Sequence, residues 1–167
     1  ASVDRALREM GAYDWVVFTS GNAVTAIFDR LYALGLDARA FGESRLGAIG
    51  PATAERLRER GLVADFVPEQ YVAEAVVEGL RNLGCEGRRV LLPRGDLARE
   101  ALPRGLSAAG ASVDEVTVYR TATPEGSEAS AGRVLSEGVD VATFTSSSTV
   151  RNLAGLLGGN LDALSQA

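Results

Sequence analysis

The chain has 167 residues, 46% hydrophobic and 23% charged, with a net charge of −5, one cysteine and no histidine. That composition suits a packed globular domain, or one domain and part of another. Without histidine and with a single thiol, zinc sites, Ser-His triads, Cys-His dyads and internal disulfides are excluded. Any chemistry falls to Asp/Glu, Tyr, Arg, Ser/Thr or backbone amides. No basic stripe marks a nucleic-acid surface, no apolar run is long enough to span a bilayer, and the acidic start ASVDRALREMGAYD is not a signal peptide. A reducing cytoplasm is the simplest setting for Cys85. The chain starts without Met and already in a helical pattern, so a piece of a longer protein is expected.

In chain order, residues 2–10 predict a short helix capped by Ser2 or Asp4 and closed by Gly11. Trp15–Phe18 is a continuous apolar run, as in a strand covered on both faces. Ser20 is placed to cap the next helix, which carries Val24, Ile27, Phe28, Leu31 and Leu34 at 3–4 spacing and ends at Gly35. Arg45–Ile49 predicts a second strand, and Gly50-Pro51 a helix with Pro at its first position. A third strand is expected at Asp65–Val67 and a helix over Tyr71–Leu83. A fourth strand follows at Arg89–Leu92, then a turn Pro93-Arg94-Gly95-Asp96. Leu97–Ala109 predicts an amphipathic helix with Leu97 inward, kinked or restarted at Pro103.

From Ser112 the rhythm changes to alternation, which predicts a longer, half-exposed strand closer to a connector than to a core strand. A Pro/Gly/Ser-rich patch then leads to a helix over 127–137, a strand Val139–Phe144 and a final helix Thr149–Leu157. Short apolar strands alternating with helices imply βαβ units and a mainly parallel sheet. The domain boundary is expected near 110–126.

One stretch is written twice. Asp14–Val24, DWVVFTSGNAV, matches Asp140–Val150, DVATFTSSSTV, at Asp14/Asp140, Phe18/Phe144, Thr19/Thr145, Ser20/Ser146 and Val24/Val150. Five matches in register predict a duplicated strand-to-helix unit. Four turns are therefore expected at the carboxyl edges of strands: Thr19–Asn22, Gly50–Thr53, Pro93–Asp96 and Thr145–Ser148. Each offers helix N-terminal N–H groups with hydroxyls or a guanidinium, which favour carboxylates or phosphates. Caps and turn formers alone would account for Ser and Gly there, but not for Arg94 or for doubled Thr-Ser. Neither the G-x-G-x-x-G nor the G-x-x-x-x-G-K-S/T phosphate loop is present. Tyr119 is either packing in a two-faced strand or a phenol able to donate a proton in a cleft without histidine.

FTSGNAV, GAIGPATAERLRERGL, the VLLPRGDLAREALPRGLSAAGASVDEVTVYRT run and VDVATFTSSSTVRNL, in that order, resemble the uroporphyrinogen-III synthase family. The RGDLARE…VYRT segment is the most specific part. The resemblance implies two flavodoxin-like, Rossmann-like α/β parallel-sheet domains joined by a β-ladder. Residues 1–111 would form the complete inserted domain, 112–123 the linker strand and 124–167 part of the second domain. It also implies a monomer that cyclises the linear tetrapyrrole hydroxymethylbilane with loss of water and inversion of the last ring. No cofactor, metal, nucleic acid or membrane is implied. Thr19, Ser20, Thr53, Thr145 and Ser146 match the family's cleft hydroxyls, and Tyr119 the tyrosine thought to assist loss of the hydroxyl. Asn22 stands where some members have a basic residue. Arg94 is added as a substrate contact on electrostatic grounds, and the adjoining Gly95 is a further substrate-binding candidate. A non-catalytic ligand-binding or regulatory module on the same scaffold is the alternative, and a sugar- or phosphate-binding domain a third. The 167-residue piece alone is expected to have little activity.

Overall fold

The structure, a computed structural model, describes residues 2–144 and 147–158. The chain divides into two compact units, Ala1–Thr121 and Ala122–Ala167.

The first unit is built on β1 (Trp15–Phe18), β2 (Arg45–Ala48), β3 (Arg89–Gly95) and β4 (Ser112–Tyr119). They form one sheet in the order β2-β1-β3-β4, every neighbouring pair parallel. The period-2 alternation of strand side chains sorts the apolar runs onto the two faces. Val16, Phe18 and Leu91 enter one core with α1 (Val3–Arg8), α2 (Gly21–Ala33) and Leu57 of α3 (Pro51–Arg58). Trp15, Val17, Val90 and Leu92 enter the other, against Val76 and Leu80 of α4 (Ala73–Asn82) and Leu102 and Leu106 of α5 (Ala101–Ala108). A strand buried on both faces needs an uninterrupted apolar run, which is why WVVF and VLL carry no polar residue. Each fully buried Phe, Leu or Val in these layers contributes about 1.5–3 kcal/mol.

Local signals set the helix starts. Ser2 and Ser20 each accept a backbone N–H three residues on, from Arg5 and Ala23. Gly50 precedes Pro51 at the first position of α3, where the missing N–H would have had no helical partner. Arg30 on α2 grips Asp4 on α1 through two bonds of 2.6 Å, fixing the short first helix on the second.

The structure departs from the sequence expectations in five places. Asp65–Val67 is not a strand but a single bridge between Phe66 and Gly47. The Asp65 carboxylate takes the Leu46 N–H at 2.7 Å, so a side chain replaces the backbone acceptor that would extend a ladder. β3 runs on through Pro93, Arg94 and Gly95, so the expected turn there is strand. Its extra length is held by β4, which pairs with it from Arg89↔Ser112 to Gly95↔Tyr119. The stretch from Ser112 is the long, half-exposed strand expected from its alternation, and it forms the edge of this sheet. The helix expected from Tyr71 begins at Ala73. The helix expected from Leu97 begins at Ala101, leaving Leu97 67% exposed. Pro103 consequently falls in the first turn of α5, where its absent N–H breaks no helical bond, and no kink follows.

In the second unit, α6 (Ser127–Ser136) and α7 (Ser147–Leu156) pack on each other. Val134, Leu135, Val139 and Leu153 line a small apolar hollow of that unit. The fifth departure is here: Val139–Phe144 is not a strand. Among the described residues nothing pairs with it, and a strand without a ladder leaves its N–H and C=O groups unpaired. Val141 is 77% exposed, where its counterpart in β1 is wholly buried. The helical half of the repeat does hold, since α7 starts at Ser147, in register with Gly21 at the start of α2.

Candidate functional site

From β1 the chain moves outward to β2 and then crosses back to β3, so connections leave the carboxyl ends of β1 and β3 in opposite directions. Open parallel sheets have a crevice at such a switch point. Here it is a cleft of 430 Å³ within the first unit. Thr19 and Ser20 line it from the end of β1, Arg94 from β3 and Tyr119 from the end of β4. Tyr71, Glu74 and Arg99 complete its polar lining.

Ser20 and Tyr119, 99 residues apart in the chain, meet with Oγ and the phenolic oxygen 3.1 Å apart. Ser20 Oγ also accepts the Ala23 N–H at 3.2 Å as the cap of α2, which fixes its position on a rigid element. Either hydroxyl is able to donate to the other. In both arrangements one hydroxyl hydrogen of the pair is left over for a third group. Gly95 makes this geometry possible. A Cβ there would lie 2.7 Å from Cε2 and Cζ of the Tyr119 ring, so only glycine lets the ring lie across the end of β3.

Arg94 is 7% exposed. From β3 its guanidinium donates to Glu115 of β4, to the Ala98 carbonyl and, at 3.2 Å, to Glu100. Charge-assisted bonds of this kind are the stronger class, and a buried arginine requires them. The free guanidinium at a helix N-terminus expected from the sequence is therefore corrected: Arg94 sits in a strand and is committed to protein acceptors. It ties down the connection 96–100 that walls one side of the cleft. Asp96 secures the other end, accepting the Thr121 N–H at 3.0 Å just past β4.

The structure thus brings Thr19, Ser20, Arg94 and Tyr119 to one cleft. Three other candidates do not line it: Asn22 is exposed on α2, Thr53 is buried in the first turn of α3, and Gly95 lies under the Tyr119 ring. Thr145 and Ser146 lie outside the described residues. Sequence reading singled out none of Tyr71, Glu74 and Arg99 as site residues. Tyr71 precedes α4, and its ring crosses Gly50, where a Cβ would be 3.3 Å from Cγ. The second arginine of PRGDLARE was the available signal for Arg99. Among the described residues, no cluster of three His, Cys, Asp or Glu is placed to hold a metal ion. No helix among them is long and apolar enough to cross a membrane.

The family model of uroporphyrinogen-III synthase HemD matches residues 1–167. The chain belongs to the uroporphyrinogen-III synthase family. A Methanothermobacter thermautotrophicus protein of the same family name is 38% identical over 160 residues, 94% of this chain and 62% of that protein. The uroporphyrinogen-III synthase of Synechococcus elongatus is 32% identical over 163 residues, 95% of this chain and 60% of that protein. Among solved structures, Thermus thermophilus uroporphyrinogen III synthase superposes with a TM-score of 0.62 at 26% identity, covering 97% of this chain and 62% of that one. A triple-mutant form of it reaches 0.67 at 24% identity, covering 96% and 61%. The chain therefore spans about 60% of the length of the curated relatives it matches. The α/β fold with a parallel sheet, inferred from alternating strands and helices, is that of this family.

Proposed function

We propose that the protein containing this chain is a uroporphyrinogen-III synthase: it cyclises hydroxymethylbilane, with loss of water and inversion of the last pyrrole ring, to uroporphyrinogen III in haem biosynthesis. The observation that carries this reading is the Ser20–Tyr119 pair at the switch-point cleft of a histidine-free chain. Loss of the substrate's hydroxyl needs a proton: the donor's O–H bond breaks, the substrate's C–O bond breaks, and water leaves. Tyr119 is the acid in this reading. Ser20 orients it and, as the second hydroxyl of the pair, takes part in returning a proton to the phenolate.

The substrate carries eight carboxylates, so anion-favouring helix N-termini suit it. Thr19 and Ser20 at the start of α2 provide one such terminus. In this reading Thr145 and Ser146 supply further substrate contacts. Asn22, Thr53 and Gly95 support the rim, and Arg94 shapes the wall of the cleft. Residues 1–111 and 124–167 then belong to different domains of the whole enzyme, with 112–123 running between them. A cytoplasmic monomer acting without cofactor completes the proposal, and the 167-residue piece alone is expected to turn over poorly. Supplying hydroxymethylbilane to the whole protein and resolving the uroporphyrinogen isomers tests it. Isomer III is expected, and the spontaneous isomer I alone would sink it.

A further inference from the structure

Two arginines line the cleft, and their circumstances are opposite. Arg94 is buried and bonded to Glu115, Glu100 and the Ala98 carbonyl. Arg99 is exposed, and among the described residues it takes part in no ion pair, side-chain hydrogen bond or stacking on a ring. It stands on the connection that Arg94 holds in place, between Ala98 and Glu100, both of which Arg94 grips. A cationic side chain next to a carboxylate, here Glu100, would ordinarily turn to it. Glu100 is bonded to Arg94 instead, and Arg99 keeps its charge available to the cleft. The acid in the lining, Glu74, sits in the first turn of α4, where the helix's own N-terminal dipole balances it.

We propose that Arg99 receives a carboxylate of the ligand in this cleft, and that Arg94 is the positioning residue that presents it. The identity of the ligand as a polycarboxylated tetrapyrrole rests on the synthase reading above. The anion-receiving role rests only on the arrangement of the two arginines. A guanidinium accepts a carboxylate through two parallel N–H donors, so it selects orientation as well as charge. Arg94 cannot do this itself while Glu115 and Glu100 occupy it.

The test uses the whole protein and uroporphyrin III, a stable octacarboxylate, as a fluorescent binding probe alongside hydroxymethylbilane turnover. Arg99→Gln is expected to raise the probe's Kd and the substrate's KM by about 5–10-fold, the scale of a partly solvated charge-assisted bond. The loss falls on KM more than on kcat, with the thermal midpoint unmoved. Arg99→Lys, which keeps the charge but not the fork, is expected to recover part of the affinity. Arg104→Gln removes the same charge from the exposed side of α5, outside the cleft lining, and is expected to bind like wild type. A Kd for Arg99→Gln within twofold of wild type overturns the inference, as does an equal loss in Arg104→Gln. If wild type forms only isomer I, the synthase reading fails, while the Kd comparison still decides the role of Arg99.

Discussion

The two edges of the sheet in the first unit use the same residue types to opposite ends. At the amino edge, Tyr13 donates to Asp114 at 2.9 Å, Arg89 donates to the same oxygen at 3.0 Å, and the Arg89 guanidinium lies over the Tyr13 ring. Beside them Asp14 accepts from the Arg89 backbone N–H and from Arg88. At the carboxyl edge, among the described residues, the Tyr119 phenol hydrogen-bonds to another hydroxyl and not to a carboxylate, and Arg99 meets no protein acceptor. A phenol against a carboxylate has its proton fixed in place. A phenol against a serine shares a proton with a group that can also give one. The amino edge is a clasp between β1, β3 and β4, and the carboxyl edge is left able to react or bind.

The sharpest way to break this comparison is to remove the two phenols separately. Tyr119→Phe is expected to slow isomer III formation by about 100-fold or more, the scale of a lost general acid, with the thermal midpoint little changed. Unaltered turnover would remove Tyr119 from the mechanism. Gly95→Ala is expected to act on both quantities. The added methyl must displace the Tyr119 ring, which costs about 1–3 kcal/mol of stability and lowers turnover along with it. Wild-type turnover and stability in that variant would show that the ring has room to move.

At the other edge, Asp114→Ala is expected to lose about 2 kcal/mol in denaturant unfolding, because Tyr13 and Arg89 lose their common acceptor, while turnover holds. A fall in turnover without loss of stability would tie the amino edge to the chemistry. The smallest effect is in pH dependence. Burial, then the bond to Asp114, pushes the Tyr13 phenol from 10.0 up to about 12. A raised phenol pKa stabilises the fold below the unfolded value, and that contribution is lost as pH rises through the folded one. Unfolding midpoints are therefore expected to fall between pH 10 and about 12, and to fall less in Tyr13→Phe.

Much of this was legible in the sequence because the signals are local. Trp15–Phe18 names its own strand, Ser20 its own helix start, and Gly50-Pro51 another. The repeat shows where that legibility stops. Asp140–Phe144 resembles Asp14–Phe18, yet only the earlier copy is a strand, flanked by β2 and β3. Helix formation needs partners four residues away, which travel with the sequence. A strand needs neighbours from elsewhere in the chain. The PRGD reading failed for the same reason: β4 extends β3 to Gly95, and no residue within PRGD reports that partner.

The sequence by itself determined the apolar runs that become β1 and β3, the caps of α2 and α3, and an inventory without histidine that confines the chemistry to hydroxyls, carboxylates, guanidinium and backbone. Only the tertiary structure decided that Ser20 and Tyr119 share a hydrogen bond across 99 residues, and that Arg94 is a tether while Arg99 stays open. Strand order in a sheet is settled by which apolar faces can be covered together. That order, and not any single stretch, sets which side chains meet at the carboxyl edge.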